Sequence, residues 1–234
     1  MKPRLTVLLV LAAVLVGLCA VEASAASKKK KPCVATLATC PEQGCGGDAE
    51  LNKLKNRADP ATSPEKWTLS EIIDLEEEIE PGWGSLEDRA PIKEVGEGTP
   101  VVVTGYLVHA RASGPESCNC YLTGQENNDI HMNLAVHKSD DREESVVAEI
   151  TPRVRAEQPG WTVSKLTTLA TRGAYVRMSG WLLLDTQHIS RSGGPRATVW
   201  EVHPVTRCEV CTKTKKECDQ GKAGAWKALE SYQP

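Results

Sequence analysis

From Asp129 to Val136 the chain alternates: Ile130, Met132, Leu134 and Val136 fall on one face, Asp129, His131, Asn133 and Ala135 on the other. A period of two sends successive side chains to opposite sides of an extended strand, so this segment predicts a half-buried strand. Val101 to His109 is rich in β-branched residues, Cys118 to Leu122 is a short second piece, and Val146 to Ile150 is a compact apolar run. Longer strands are predicted from Ala174 to Asp185 and from Ala197 to Arg207, parted by the turn-rich Ser190-Arg191-Ser192-Gly193-Gly194-Pro195. In this half, helical spacing occurs from Thr162 to Thr171, where Val163, Leu166, Leu169 and Ala170 share a face and Gly173 follows as a stop.

If 118–122 and 129–136 form one bent strand, the order is strand, strand, strand, helix, strand, strand. A five-stranded OB barrel has this order, with its helix between the third and fourth strands, and closure removes the exposed edges of short strands. The predicted fold is mainly β: an OB-like barrel over residues 99–211, preceded by an irregular cysteine-containing arm with a short helix. An open antiparallel sheet with one packed helix is the alternative.

Residues 26–98 read as an extended arm. Cys33 to Gly47 is rich in Cys, Pro and Gly, which suggests a stapled loop. Thr68-Leu69-Ser70-Glu71 fits a capping box, opening a helix with Leu69, Ile72, Ile73 and Leu75 on its apolar side and Pro81-Gly82 beyond its end. Glu76, Glu77 and Glu78 read as a solvated face. Residues 212–234 form a tail.

At the N-terminus, basic Lys2 and Arg4 precede an apolar run from Leu5 to Leu18, and Ala23-Ser24-Ala25 supplies small residues at a cleavage spacing. Residues 1–25 are expected to be a cleaved secretory signal, giving a secreted or periplasmic protein with no stable membrane span afterwards. Lys28 to Lys31 oppose the usual charge bias and keep an uncleaved anchor as the alternative. Cys19 would leave with the signal. Eight cysteines would remain: Cys33, Cys40, Cys45, Cys118, Cys120, Cys208, Cys211 and Cys218. An even count in an exported chain suggests disulfides. The spacing Cys118-Asn119-Cys120 with Cys208-Glu209-Val210-Cys211 offers a four-thiolate zinc site instead.

Without Lys2, Arg4 and Glu22 the chain keeps 26 basic and 30 acidic residues, a formal charge of −4. That balance disfavours nucleic acid, whose sequence-independent binding depends on phosphate neutralisation. The chain has no Phe, so Trp161, Trp181, Trp200, Tyr106 and Tyr175 must provide bulky packing. Arg153, Arg155, Arg177 and Arg191 read as a mixed-charge surface, with an anion-binding rim as the alternative.

The candidate chemistry lies in acid–imidazole pairs. Asp129 and His131 are two apart, as are Glu201 and His203, and Asp185 precedes His188 by three. Residues at i and i+2 of a strand share a face, and Glu149 falls on the strand between these groups. The set Asp129, His131, Glu149, Asp185, His188, Glu201 and His203 is therefore the candidate ligand-binding face. Asp129, His131, Glu149 and His203 are its candidate ligands for a divalent metal such as zinc. A carboxylate beside a histidine also fixes its tautomer and raises its basicity. The plain alternative is a set of wet surface pairs, each contributing under ~1 kcal/mol. His109 and His137 lack such spacing and read as strand-end or surface residues. No phosphate-cradling glycine loop, Gly-x-Ser-x-Gly elbow or His-Glu-x-x-His pattern occurs.

The strings Asp129-Ile130-His131, Glu149-Ile150-Thr151-Pro152, Asp185-Thr186-Gln187-His188 and Glu201-Val202-His203-Pro204-Val205 carry a resemblance. Over roughly residues 99 to 207 the chain resembles a loosely defined group of exported bacterial proteins of unassigned function in which these motifs recur in order. The resemblance marks the same seven acid and histidine positions and implies no reaction. Where glycine commonly follows the Asp-x-x-His histidine, this chain has Ile189. Three functions follow as expectations. The first is an exported binding module holding a small ligand, glycan or envelope-protein partner on an outer polar face. The others are a metal-assisted hydrolase using the same residues and a disulfide-stapled structural envelope protein.

Overall fold

Alternating β-branched residues form the wall of the molecule. The computed structural model describes residues 30–85, 88–189 and 194–234. It contains a short β1 (Glu65–Lys66) and then five barrel strands: β2 (Pro100–Ala112), β3 (Ile130–Ala135), β4 (Val146–Ile150), β5 (Tyr175–Leu184) and β6 (Trp200–Cys211). A three-residue β7 (Trp226–Ala228) follows. The helices are α1 (Ala49–Asn56), α2 (Leu69–Asp74), α3 (Ala90–Val95), α4 (Pro152–Arg155), α5 (Val163–Thr171) and α6 (Lys215–Asp219).

The sheet closes in the order β2-β3-β4-β6-β5 and back to β2, and β1 and β7 are bonded outside this ring. Every barrel seam is antiparallel except β4–β6, which is parallel. With α5 between β4 and β5, this is the connectivity of an OB barrel, as predicted. β2 serves two seams: Pro100 to Tyr106 pair with β5, and Tyr106 to Ala112 pair with β3, with a register shift between Leu107 and His109.

Inward residues of all five strands, among them Val103, Met132, Ala148, Met178 and Val202, are fully buried in one core. Thr162 caps α5 by accepting from the Lys165 N–H, and Leu166 and Leu169 drive the helix into that core. The predicted capping box at Thr68 and Glu71 opens α2, whose Leu69 and Ile72 enter the same core. Gly105 makes room for α2, because a Cβ there would fall 2.7 Å from Leu69 Cδ1. Trp200 and Trp161 are buried as bulky core residues, consistent with a chain without Phe.

Several expectations need correction. Residues 118–122 are a turn, not a strand; Cys120 and Tyr121 adopt φ of 54° and 55°, the left-handed region that breaks an extended run. β3 alone is the second barrel strand. It is buried on both faces rather than one: outward His131 pairs with Glu149, and outward Asn133 donates to Ser145 Oγ and the Pro195 carbonyl. Val136 falls past the end of β3 and is exposed. The arm itself is not extended: it contains α1, α2 and α3, and β1 pairs in parallel with β2. Glu76 is not simply solvated, since its carboxylate accepts from Thr198 Oγ1 and the Val199 N–H ahead of β6.

Among the described residues three disulfides form, Cys33–Cys45, Cys40–Cys120 and Cys211–Cys218, while Cys118 and Cys208 are buried free thiols. The four-thiolate zinc site is thereby ruled out, because Cys120 and Cys211 are spent on bridges to other partners. The arginines for which an anion-binding rim was the alternative make separate contacts. Arg153 donates to the Cys40 carbonyl, Arg155 to the carbonyls of Gln125 and Asn128, and Arg177 to Glu209. Arg191 and the predicted signal segment lie outside the described residues. No helix among the described residues is long and apolar enough to cross a membrane.

Candidate metal centre between barrel and arm

The register of three strands brings the acid–imidazole pairs together. His131 on β3 pairs directly with Glu149 on β4, and the parallel β4–β6 seam sets Val147 beside Glu201, so Glu149 faces His203 two residues on. His131 Nδ1 and Glu149 Oε1 are 2.7 Å apart. His203 Nδ1 lies 3.3 Å from Glu201 Oε1 and 3.7 Å from Glu149 Oε2, and His203 Nε2 lies 3.5 Å from Asp129 Oδ2.

This face was expected to be wet. Instead Asp129 and His203 have fully buried side chains, and those of Glu201 and Glu149 are 1% and 8% exposed. The cover is the arm. Asp48 caps α1 by accepting from the Glu50 and Leu51 N–H groups, and the buried face of α1 carries Leu51, Asn52, Lys55 and Asn56. Asn56 Nδ2 donates to the carbonyls of Cys118 and Glu42, and Ser117 Oγ donates to Asn52 Oδ1. Lys55 Nζ stands 3.4 Å from Glu116 and 3.6 Å from Asp185.

Asp185 caps the short turn that follows β5 and binds His188 Nδ1. Arg196 joins this end to the rest, lying 3.9 Å from Asp185 and 3.5 Å from Glu201. Five of the seven predicted residues, Asp129, His131, Glu149, Glu201 and His203, thus meet directly. Asp185 and His188 reach them through Lys55 and Arg196, and His188 sits at the partly exposed edge.

Within the group, one ligand atom each from Asp129, Glu149 and His203 lies within 4.8 Å of the others. Asp129 Oδ2, Glu149 Oε2 and His203 Nε2 are buried and have no hydrogen-bond partner. Buried polar atoms are normally satisfied; here Asp129 Oδ2 and Glu149 Oε2 approach opposite nitrogens of the His203 ring, at 3.5 Å and 3.7 Å, and are left without a hydrogen bond in a group whose spacing suits an ion. Of the four predicted metal ligands, His131 falls outside this group. It is hydrogen-bonded to Glu149 Oε1, where it would orient the carboxylate rather than bind the ion.

The charges are strongly shifted. Burial, with Glu116 and Glu149 nearby, pushes the Asp129 carboxyl well above the usual carboxylate range. Burial acts the same way on Glu149, but the His131 hydrogen bond and the His131 and His203 charges hold it well below that range. For His203, burial is outweighed by Glu201, Glu149 and Asp129, which raise it to about 9. Lys55 also overcomes burial through Asp185, Glu116 and Glu201 and is held well above its ordinary value.

Sequence analysis does not reveal Lys55, Glu116, Cys118, Asn119 or Arg196 as members of this layer. Polar residues on a short helix read as its wet face. The one available signal was the Asp48 cap, which opens a helix with Leu51, Lys55 and the two asparagines on a common side.

No protein-family model matches the chain, and no curated protein matches it. Among solved structures it is similar to one described as the crystal structure of yeast Stn1 and Ten1, at 14% identity and a TM-score of 0.38, covering 72% of this chain and 74% of that one. The strand order and the parallel closing seam, rather than this likeness, identify the chain as an OB-like barrel.

Proposed function

We propose that this protein is an exported OB-like binding module whose ligand is a divalent cation such as zinc, held between the barrel wall and the protein's own arm by Asp129, Glu149 and His203. The convergence of Asp129, Glu149 and His203, each with a buried ligand atom that makes no hydrogen bond, supports this reading. OB barrels usually receive ligands on the face of their second and third strands. Here Asn119 packs on Asp129 beside that face and α1 packs on the neighbouring β6, a cover that favours an ion over a glycan, a nucleic acid or a protein segment. The same cover disfavours hydrolysis, which needs a coordination position that substrate can reach. Three disulfides and a predicted secretory signal fit an oxidising compartment.

The test is metal analysis of tag-free protein after equilibration with zinc and desalting. We expect at least one equivalent in the parent chain and its loss in an Asp129→Asn, His203→Gln double variant. A metal-free parent whose thermal midpoint is unchanged by zinc would overturn the reading.

A further inference from the structure

We infer that Glu116 and Cys118 extend this centre into a second cation position that shares Asp129, and that the thiol restricts it to thiophilic divalent ions of the zinc class. The inference depends on the reading above only through the shared carboxylate.

Ligand atoms of Glu116, Cys118 and Asp129 also lie within 4.8 Å of one another, and Asp129 is the member common to both groups. Its two oxygens are differently placed. Oδ1 accepts from Asn119 Nδ2 at 2.8 Å, whereas Oδ2, on a fully buried side chain, makes no hydrogen bond and faces His203 Nε2 at 3.5 Å. A carboxylate carries enough lone pairs on two oxygens to bind on two sides. Cys118 Sγ lies 3.7 Å from Glu116 Oε2.

The comparison with Cys208 separates a ligand from a packing thiol. Both are buried and outside the disulfides. Cys208 belongs to the apolar core of the barrel, whereas Cys118 lies among Glu116, Asp129 and Lys55 and belongs to no apolar cluster. Charge points the same way. Glu116, Asp129, Glu149, Asp185 and Glu201 supply five carboxylates to this layer, against Lys55, Arg196 and the raised imidazoles of His203 and His188. Bound cations would neutralise the remainder without protonating buried acids.

Carboxylate and water alone suit magnesium, calcium or manganese, whereas a thiolate selects softer ions. Binding would form the sulfur–metal bond and release the Cys118 proton to solvent, as metal coordination does for thiols.

Cobalt(II) titration of the full, disulfide-intact, tag-free protein tests this. The expected result is two bound equivalents and a sulfur-to-cobalt charge-transfer band in the near ultraviolet. Cys118→Ser should remove the band and one equivalent and keep the other, while Cys208→Ser should keep both. Glu116→Gln, at a partly exposed position, should weaken the second equivalent at least about tenfold and so serves if Cys118→Ser fails to fold. One equivalent with no sulfur band would overturn this inference and leave the first centre standing. A band that survives Cys118→Ser would also overturn it. No bound cobalt would overturn both readings.

Discussion

The ammonium of Lys55 lies 3.6 Å from the carboxylate of Asp185 across the seam between arm and barrel, and each side chain is 3% exposed. Removing one member of a buried ion pair strands the other charge, at a cost of about 3–5 kcal/mol. Lys55→Ala should lower unfolding stability by that order in urea titration. Lys55→Met, which keeps the buried stem, should lose less. A loss below about 1 kcal/mol for Lys55→Ala would show that the arm does not hold this charge in place.

His188 gives the seam a pH dependence. Its hydrogen bond to Asp185 raises its titration above the ordinary histidine value, against burial and the Arg196 and Lys55 charges. A group raised in the folded state contributes stability that is complete below its unfolded value, near 6.5, and is lost as pH rises through the folded value. The thermal midpoint of the parent should therefore exceed that of His188→Ala at pH 5.5, and the gap should narrow on the alkaline side. An equal gap at every pH would remove the titration from the account.

The Cys40–Cys120 bridge spans 80 residues of sequence. Chain-entropy reasoning assigns a closed loop of that length about 4 kcal/mol. A Cys40→Ser, Cys120→Ser double variant should lose stability of that order and expose the arm to proteolysis near α1 before the barrel is cut. Mass spectrometry of the first fragments reads the order of cleavage. Initial cuts within the barrel strands would mean that noncovalent contacts alone secure the arm.

The barrel was largely readable because its signals are local. Val146 to Ile150 is a strand with the predicted bounds, and Thr162 caps the predicted helix. The segment from Cys118 to Leu122 misleads because its thiols look apolar, yet the chain uses one for a distant bridge and buries the other in a turn. The convergence of Asp129, Glu149 and His203 follows from barrel closure, since the Val147–Glu201 register joins strands that are remote in sequence. Their burial was not readable. Alternation marks the polar side of a strand as outward, and the arm returns over it through contacts remote in sequence, among them the Cys40–Cys120 link, one choice among on the order of a hundred pairings, and the Asn56 bond to the Cys118 carbonyl.

Cys118 and Cys120 are separated by one residue, so before folding they are nearly equivalent partners for Cys40. Only the finished turn distinguishes them, presenting one sulfur to the arm and hiding the other beneath it. Oxidation that outran sheet assembly would tether the arm two positions out of place and consume a thiol meant to stay reduced. Crosslinking after the sheet has assembled avoids both errors.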